Sequence, residues 1–224
     1  MNDTVDASGS THPRYIAVEG PIGVGKTSLA TRLAESFDSD LILEQPGDNP
    51  FLERFYRNRQ SAALPTQLFF LFQRAQQIER IRQTDLFSPV RVADFLLDKD
   101  RLFAELNLDA NELKLYRRVY ETLNLDPPIP DLVVYLQAPP EILMQRIASR
   151  GIGYERLIEL GYLERLGEAY ARFFYEYDAA PLLIVNAAAI DPVHRESDYR
   201  ELLRVIHRIK RGRHFFNPAS ETIT

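Results

Sequence analysis

Short apolar runs recur along the chain, and the segments between them have helical spacing. The runs lie at residues 15–19, 41–43, 90–93, 132–136 and 182–185. Runs of this length, rich in Val, Ile and Leu, are typical of buried strands. Strands that alternate with helices form parallel sheets. The pattern therefore predicts an α/β fold of three layers, with a five-stranded parallel sheet flanked by helices.

Seven helices are predicted around these runs, at residues 50–59, 66–83, 99–106, 110–123, 139–149, 162–177 and 197–210. No internal repeat is visible, and a chain of this length fits one domain. We assign residues 14–210 to that domain. Residues 1–13 are expected to form a disordered lead-in, and residues 211–224 a flexible C-terminal tail.

Composition and charge exclude several classes of protein. The 224 residues are 45% hydrophobic and 26% charged, which is enough apolar material for a sizeable core. A formal net charge of -5 argues against a surface built to bind nucleic acid. The chain has no cysteine, which excludes disulfides and thiolate metal sites and fits a reducing compartment. The first thirteen residues resemble no targeting signal, and the apolar runs are too short to cross a bilayer. We expect a cytoplasmic protein with neither nucleic acid nor membrane as a partner.

A glycine-rich segment between the first predicted strand and the first helix matches the phosphate-binding motif G-x-x-x-x-G-K-[ST]. Glycines there let successive backbone amides turn toward phosphate oxygens at the positive end of a helix. A lysine neutralises the β- and γ-phosphates, and a hydroxyl ligates Mg²⁺. The predicted nucleotide-binding residues are Gly20, Pro21, Ile22, Gly23, Val24, Gly25, Lys26, Thr27 and Ser28. The motif alone leaves phosphate transfer, hydrolysis and a nucleotide-dependent switch open.

Further segments decide among these activities. The N-K-x-D sequence expected of a regulatory GTPase is absent. The segments EGPIGVGKT, LEQPGDNPFLERFY, TQLFFLFQR, ADFLLDKDRLFA, RIASRGIGYER and YLERLGEAY occur in this order. Together they resemble the deoxynucleoside kinase family, and most of all its bacterial deoxyguanosine/deoxyadenosine kinase branch. The resemblance implies transfer of the γ-phosphate of ATP or another nucleoside triphosphate, with Mg²⁺, to the 5′-hydroxyl of a deoxyribonucleoside, with a purine as the expected base, in nucleotide salvage. It also implies a homodimer.

The resemblance implies roles for individual side chains. Glu44 matches the carboxylate that takes the proton of the 5′-hydroxyl, a general-base role. Tyr56 and Glu155 match the pair that holds the sugar 3′-hydroxyl, and Phe103 matches an aromatic residue that stacks on the base. Asp94 matches the acid near Mg²⁺, so that Thr27 and Asp94 are the expected metal ligands.

Helical spacing places two further pairs of residues on shared helix faces. Gln67 and Arg74 lie seven residues apart and share a helix face, which the resemblance assigns to reading the nucleobase. Arg146 and Arg150 lie four apart and face one way, so they can form a short arginine-bearing lid over the phosphoryl group. The simpler alternatives are an amphipathic helix with its Gln and Arg at the boundary with water for the first pair, and two solvated surface arginines for the second.

Two positions depart from the family pattern. Phe95 follows Asp94 where the family usually has arginine, and Ile152 replaces a lid arginine. Each loss removes positive charge near the reacting phosphate. A catalytically impaired nucleotide-binding subunit therefore stays open beside an active nucleoside kinase. A thymidylate-type nucleoside monophosphate kinase, which shares the fold and the phosphate loop, also stays open, although it needs extra cationic contacts for the acceptor phosphate.

Overall fold

The computed structural model describes residues 13–82 and 90–218. The strands are β1 (Tyr15–Glu19), β2 (Asp40–Ile42), β3 (Arg91–Ala93), β4 (Leu132–Gln137), β5 (Leu182–Asn186) and β6 (Arg213–Phe216). The helices are α1 (Lys26–Phe37), α2 (Leu52–Arg57), α3 (Arg59–Arg82), α4 (Lys99–Asn107), α5 (Ala110–Leu123), α6 (Pro140–Arg150), α7 (Leu160–Glu176) and α8 (Glu196–Arg208), with 3₁₀ turns at Pro46–Asp48 and Gly153–Leu157.

The strands form one parallel sheet in the order β2-β3-β1-β4-β5-β6. Its centre is built from the apolar runs: Ile16 to Val18 of β1 and Val133 and Val134 of β4 have no exposed surface. These side chains are covered because helices pack on both faces of a parallel sheet. The α/β fold with helices around a parallel sheet is confirmed.

The prediction of five strands is wrong by one, because β6 extends the sheet beyond β5. Leu182 pairs with Arg213, and Val185 pairs with Phe216. The sequence of β6 is RHFF, and only Phe216 is buried. An edge strand exposed in this way lacks the apolar pattern from which strands are recognised. It lies inside the segment predicted to be a flexible tail, whereas residues 1–12 and 219–224 lie outside the described residues.

The helix boundaries differ most around α3. The prediction starts this helix at Thr66, after Pro65, but α3 begins at Arg59 and continues through Pro65. Asn58 has an extended backbone and separates α2 from α3, so the predicted helix over residues 50–59 is the shorter α2 followed by the first residue of α3. Position 83, the predicted end of α3, lies outside the described residues. No helix among the residues described is long and apolar enough to span a membrane.

Three neighbouring strands bring the polar residues of the predicted site together. β1 leads into the glycine-rich loop, β2 ends two residues before Glu44, and β3 ends one residue before Asp94. The carboxyl ends of parallel strands meet at the same edge of the sheet, where ligands bind in open α/β folds. The register therefore places Glu44 and Asp94 beside the glycine-rich loop.

Candidate active site

The glycine-rich loop after β1 is folded as a phosphate cradle. Gly20, Gly23 and Gly25 all have positive φ, at 151°, 83° and 104°. A Cβ atom on Gly20 would lie 2.5 Å from the carbonyl oxygen of Leu136, so a larger residue does not fit there. Lys26 Nζ donates to the carbonyl oxygens of Gly20 at 2.8 Å and Pro21 at 3.2 Å. The ammonium thus already lies over the loop at the start of α1, where a phosphate is favoured.

A hydroxyl and a carboxylate lie next to this cradle. Thr27 Oγ1 donates to Asp94 Oδ2 at 2.6 Å, and the amide of Glu44 donates to Asp94 Oδ1 at 2.7 Å. Burial raises the pKa of Asp94. Among the residues described, no group of three or more His, Cys, Asp or Glu side chains could hold a metal ion. The oxygens of Thr27 and Asp94 suit Mg²⁺, an ion that takes few protein ligands and relies on substrate phosphates and water.

Glu44 lies between two cations. Arg74 reaches its Oε1 from Nε at 2.7 Å and from Nη2 at 2.5 Å, and Lys99 Nζ lies 2.7 Å from its Oε2. Burial opposes ionisation of Glu44, but the charges of Arg74 and Lys99 outweigh it and lower the pKa of this carboxyl to about 2. Glu44 is therefore ionised at neutral pH and fixed in orientation.

Gln67 and Arg74 meet at a second buried carboxylate. Asp100 accepts from Gln67 Nε2 at 3.1 Å, from Tyr116 Oη at 2.9 Å and from Arg74 Nη1. Gln67 also donates to the backbone oxygen of Asp100 at 3.1 Å. The two residues do share a face of α3, as their spacing predicts, and Asp100 fixes both. Donors and acceptors held in this way can read the edge of a planar base.

The other side of the cavity carries the residues expected to bind the sugar. Glu155 is buried in the 3₁₀ turn after α6, where Arg150 Nε contacts its Oε2 at 3.0 Å and Nη2 contacts its Oε1 at 2.5 Å. The ring of Tyr56 stacks on Tyr154, with centroids 6.2 Å apart and planes at 8°. Burial, followed by the neighbouring Tyr162 and Glu155, raises the pKa of Tyr56. Tyr56 therefore remains a neutral phenol next to an anion.

One cavity collects most of the predicted site. Its wall includes Lys26, Thr27, Glu44, Tyr56, Gln67, Arg74, Asp94, Phe103, Arg150 and Glu155. Phe103 contributes an aromatic side chain, which makes an edge-to-face contact with Tyr170 at a centroid distance of 6.1 Å. The cavity thus runs from the phosphate cradle past Glu44 to an aromatic-lined chamber.

Comparison with known proteins identifies the family of the chain that forms this cavity. Residues 16–210 match the family model described as deoxynucleoside kinase. The chain is 36% identical over 194 residues to the deoxyguanosine kinase of Bacillus subtilis (strain 168), covering 84% of this chain and 93% of that protein. The chain belongs to the deoxynucleoside kinase family. It is an ATP-dependent nucleoside kinase, as the resemblance predicts.

A second relative and a solved structure are also similar to this chain. A deoxyadenosine kinase of Lactobacillus acidophilus (strain ATCC 700396 / NCK56 / N2 / NCFM) is 28% identical over 207 residues, covering 86% of this chain and 94% of that protein. A deoxyadenosine kinase structure from M. mycoides, with the products dCMP and a flexible dCDP bound, superposes with a TM-score of 0.75. It is 24% identical and covers 86% of this chain and 98% of that chain. This last comparison shows a likeness of fold.

Arg146 is not placed at the centre of this kinase cavity. Its Nη1 donates to the carbonyl oxygen of Val24 at 3.1 Å, and its Nη2 donates to that of Ala187 at 2.7 Å. The guanidinium therefore ties the phosphate cradle to the loop after β5. It lies in a neighbouring groove together with Gly25 and Ser28. A contact between Arg146 and the transferring phosphoryl group stays a prediction.

Sequence reasoning missed three charged residues of the kinase site: Glu19, Lys99 and Asp100. Each is at most 3% exposed. Lys99 and Asp100 belong to the run Asp98-Lys99-Asp100 soon after β3. Charges that follow a strand at the ligand-binding edge of a parallel sheet are a usable signal. The same charges are also typical of the start of an exposed helix, because charged residues there usually face solvent.

Proposed function

We propose that this deoxynucleoside kinase transfers the γ-phosphate of ATP to the 5′-hydroxyl of a purine deoxyribonucleoside. The observation that carries the proposal is the position of Glu44 in one cavity with Lys26 and the phosphate cradle. The named relatives support a purine acceptor, since they are a deoxyguanosine kinase and a deoxyadenosine kinase. The buried Gln67, Arg74 and Asp100 network would face the base.

Glu44 performs the proton transfer in this proposal. The 5′-oxygen forms a bond to the γ-phosphorus, and the bond from that phosphorus to the β,γ-bridging oxygen breaks. The bridging oxygen leaves with its electron pair on ADP, and the hydroxyl proton passes to Glu44. A carboxylate with a pKa of about 2 is a weak base. It therefore orients the hydroxyl first and takes the proton late, after the hydroxyl has become acidic in a loose phosphoryl-transfer transition state.

The surrounding residues bind and align the two substrates. Lys26 would exchange its contacts with the loop carbonyls for the β- and γ-phosphates. Thr27 and Asp94 would hold Mg²⁺, which neutralises phosphate charge when bound. Tyr56 and Glu155 would hold the 3′-hydroxyl as donor and acceptor. Arg150, 45% exposed at its side chain, would close on the phosphoryl group from the lid while Arg146 braces the cradle.

The proposal includes a cytoplasmic homodimer. A dimer is supported by apolar side chains on the outer helices, where Phe72 of α3 is 47% exposed and Leu115 of α5 is 49% exposed. Exposed apolar side chains of this kind are available for association with a second copy of the chain. The absence of cysteine fits a reducing compartment.

An ADP-release assay with ATP and Mg²⁺ tests the proposed reaction. Deoxyguanosine, deoxyadenosine, deoxycytidine and thymidine are compared with their 5′-monophosphates in one plate. We expect release above background with deoxyguanosine or deoxyadenosine and little with any monophosphate. Release with thymidine monophosphate alone would support the monophosphate kinase alternative. ATP binding without release from any acceptor would support the impaired subunit, and either result would overturn the proposal.

A further inference from the structure

Lys99 is buried in a place that disfavours a cation. It is the first residue of α4, and only 3% of its side chain is exposed. The amino-terminal end of a helix carries partial positive charge, which repels an ammonium group. A buried lysine is also rare unless anions accompany it, because desolvation of its charge is costly. Its position therefore calls for a specific partner.

The partner with the shortest contact is Glu44. Lys99 Nζ lies 2.7 Å from Glu44 Oε2 and 3.7 Å from Glu19 Oε2. Glu19 is already bonded by neutral donors: the amide of Gly20 at 2.8 Å, the amide of Leu96 at 2.8 Å and the hydroxyl of Tyr170 at 2.9 Å. The hydrogen bond from Lys99 is therefore directed at Glu44.

The other cation on Glu44 is shared with a second carboxylate. Arg74 bonds Glu44 and also donates to Asp100, so its charge is divided between two anions. The side chain of Phe95 is buried in a cluster with Ile81 and Ala93 and brings no charge. Lys99 contributes its short charged contact to Glu44 and lines the same cavity.

We propose that Lys99 is a positioning residue for phosphoryl transfer, which holds Oε2 of Glu44 so that the carboxylate faces the 5′-hydroxyl. The proposal rests on the proposed function, since it assigns Lys99 an effect on the same step. Lys99 and Arg74 hold different oxygens of Glu44, which fixes the plane of the carboxylate. Oε1 accepts two donors from Arg74, whereas Oε2 accepts one from Lys99 and keeps a lone pair for the substrate hydroxyl. Removal of Lys99 should leave the nucleotide and nucleoside bound but badly aligned.

The test compares Lys99→Met, Lys99→Gln and Lys99→Arg, with Lys114→Met on the exposed face of α5 as the matched control. We expect Lys99→Met to lower kcat about 100-fold with KM for both substrates changed less than about threefold, since the general-base contribution starts near that size. Lys99→Arg should recover most of the rate, because a guanidinium also bonds the carboxylate. If circular dichroism shows that Lys99→Met does not fold, the kinetics of Lys99→Gln are compared with the wild type instead. This variant keeps a hydrogen-bond donor but loses the charge.

A double-variant cycle separates this role from a structural one. In Glu44→Gln, measured by single turnover at high enzyme concentration, a further Lys99→Met change should lower the rate less than about twofold, because Lys99 acts through Glu44. A loss as large as in the wild-type background would overturn the proposal. So would an unchanged kcat in Lys99→Met. The proposed function fails separately, as absence of deoxypurine turnover in the wild-type enzyme.

Discussion

Arg74 Nε lies 2.7 Å from Glu44 Oε1, although the two residues are 30 positions apart in the chain. The same guanidinium also donates to Asp100, which Gln67 contacts. One side chain therefore joins the carboxylate at the phosphoryl end of the cavity to the polar group at its base end. In the proposed function, recognition of the nucleoside and alignment of its 5′-hydroxyl are therefore linked through Arg74.

This link predicts a combined effect of Arg74→Gln. The change leaves Asp100 without its buried cation and Glu44 with Lys99 alone, which we expect to cost about 3 kcal/mol of folding free energy. We expect kcat to fall and KM for the nucleoside to rise, with kcat/KM lowered at least about 100-fold. Steady-state kinetics and thermal melting measure the two effects. Arg80→Gln, on the exposed side of α3, is the control. A fall in kcat with unchanged KM would show that Arg74 plays no part in binding the nucleoside.

The phosphate cradle predicts a strict requirement for glycine at position 20. In Gly20→Ala the new Cβ would approach the carbonyl oxygen of Leu136 to 2.5 Å, and that backbone oxygen belongs to β4. We expect KM for ATP to rise at least about tenfold, because the loop must shift away from its phosphate-binding form and a tenfold change needs only about 1.4 kcal/mol. Gly47→Ala, where no atom lies within 4 Å of the added carbon, should be nearly silent. Normal ATP kinetics in Gly20→Ala would contradict the described loop.

The hydroxyl of Tyr56 is expected to bind the 3′-hydroxyl of the sugar. Tyr56→Phe keeps the ring that stacks on Tyr154 and removes only the hydroxyl. We expect kcat/KM for deoxyguanosine to fall about tenfold, the effect of one lost hydrogen bond, while the value for 2′,3′-dideoxyguanosine stays the same. The exposed Tyr175→Phe serves as control. An equal loss with both nucleosides would assign Tyr56 to packing.

The ionisation of Glu44 predicts a pH-dependent contribution to stability. Its pKa falls from an ordinary value of 4.5 to about 2 on folding. A group whose pKa is lowered on folding stabilises the protein at pH values above its unfolded-state pKa. This stabilisation is lost as the pH falls through its folded-state pKa. We expect Glu44→Gln to be less stable than the wild type by on the order of 3 kcal/mol at pH 7. Urea unfolding without Mg²⁺ should show that the difference in unfolding free energy between Glu44→Gln and the wild type narrows between pH 4.5 and the acid limit of folding. A gap that is constant with pH would contradict the ion pairs at Glu44.

The sequence predicted the central sheet well because its strands are buried on both faces and so are apolar throughout. It missed β6, where three of the four residues are exposed. Glu44 and Asp94 were found through the resemblance, and parallel register explains why they meet. The contact of Lys99 with Glu44 was not predicted because charged residues at the start of a helix usually face solvent and because the two residues are distant in sequence. Arg146 illustrates the opposite case, since helical spacing gave its face but could not show that it bonds the carbonyls of Val24 and Ala187.

The central claim is that Glu44 activates the acceptor hydroxyl beside a phosphate cradle that binds ATP independently of it. Single-turnover transfer from γ-labelled ATP to deoxyguanosine in Glu44→Gln, with ATP affinity measured by calorimetry on the same preparation, tests it most directly. We predict a transfer rate at least about 100-fold below wild type and an ATP dissociation constant within about threefold of it. A transfer rate equal to that of the wild type would contradict the account.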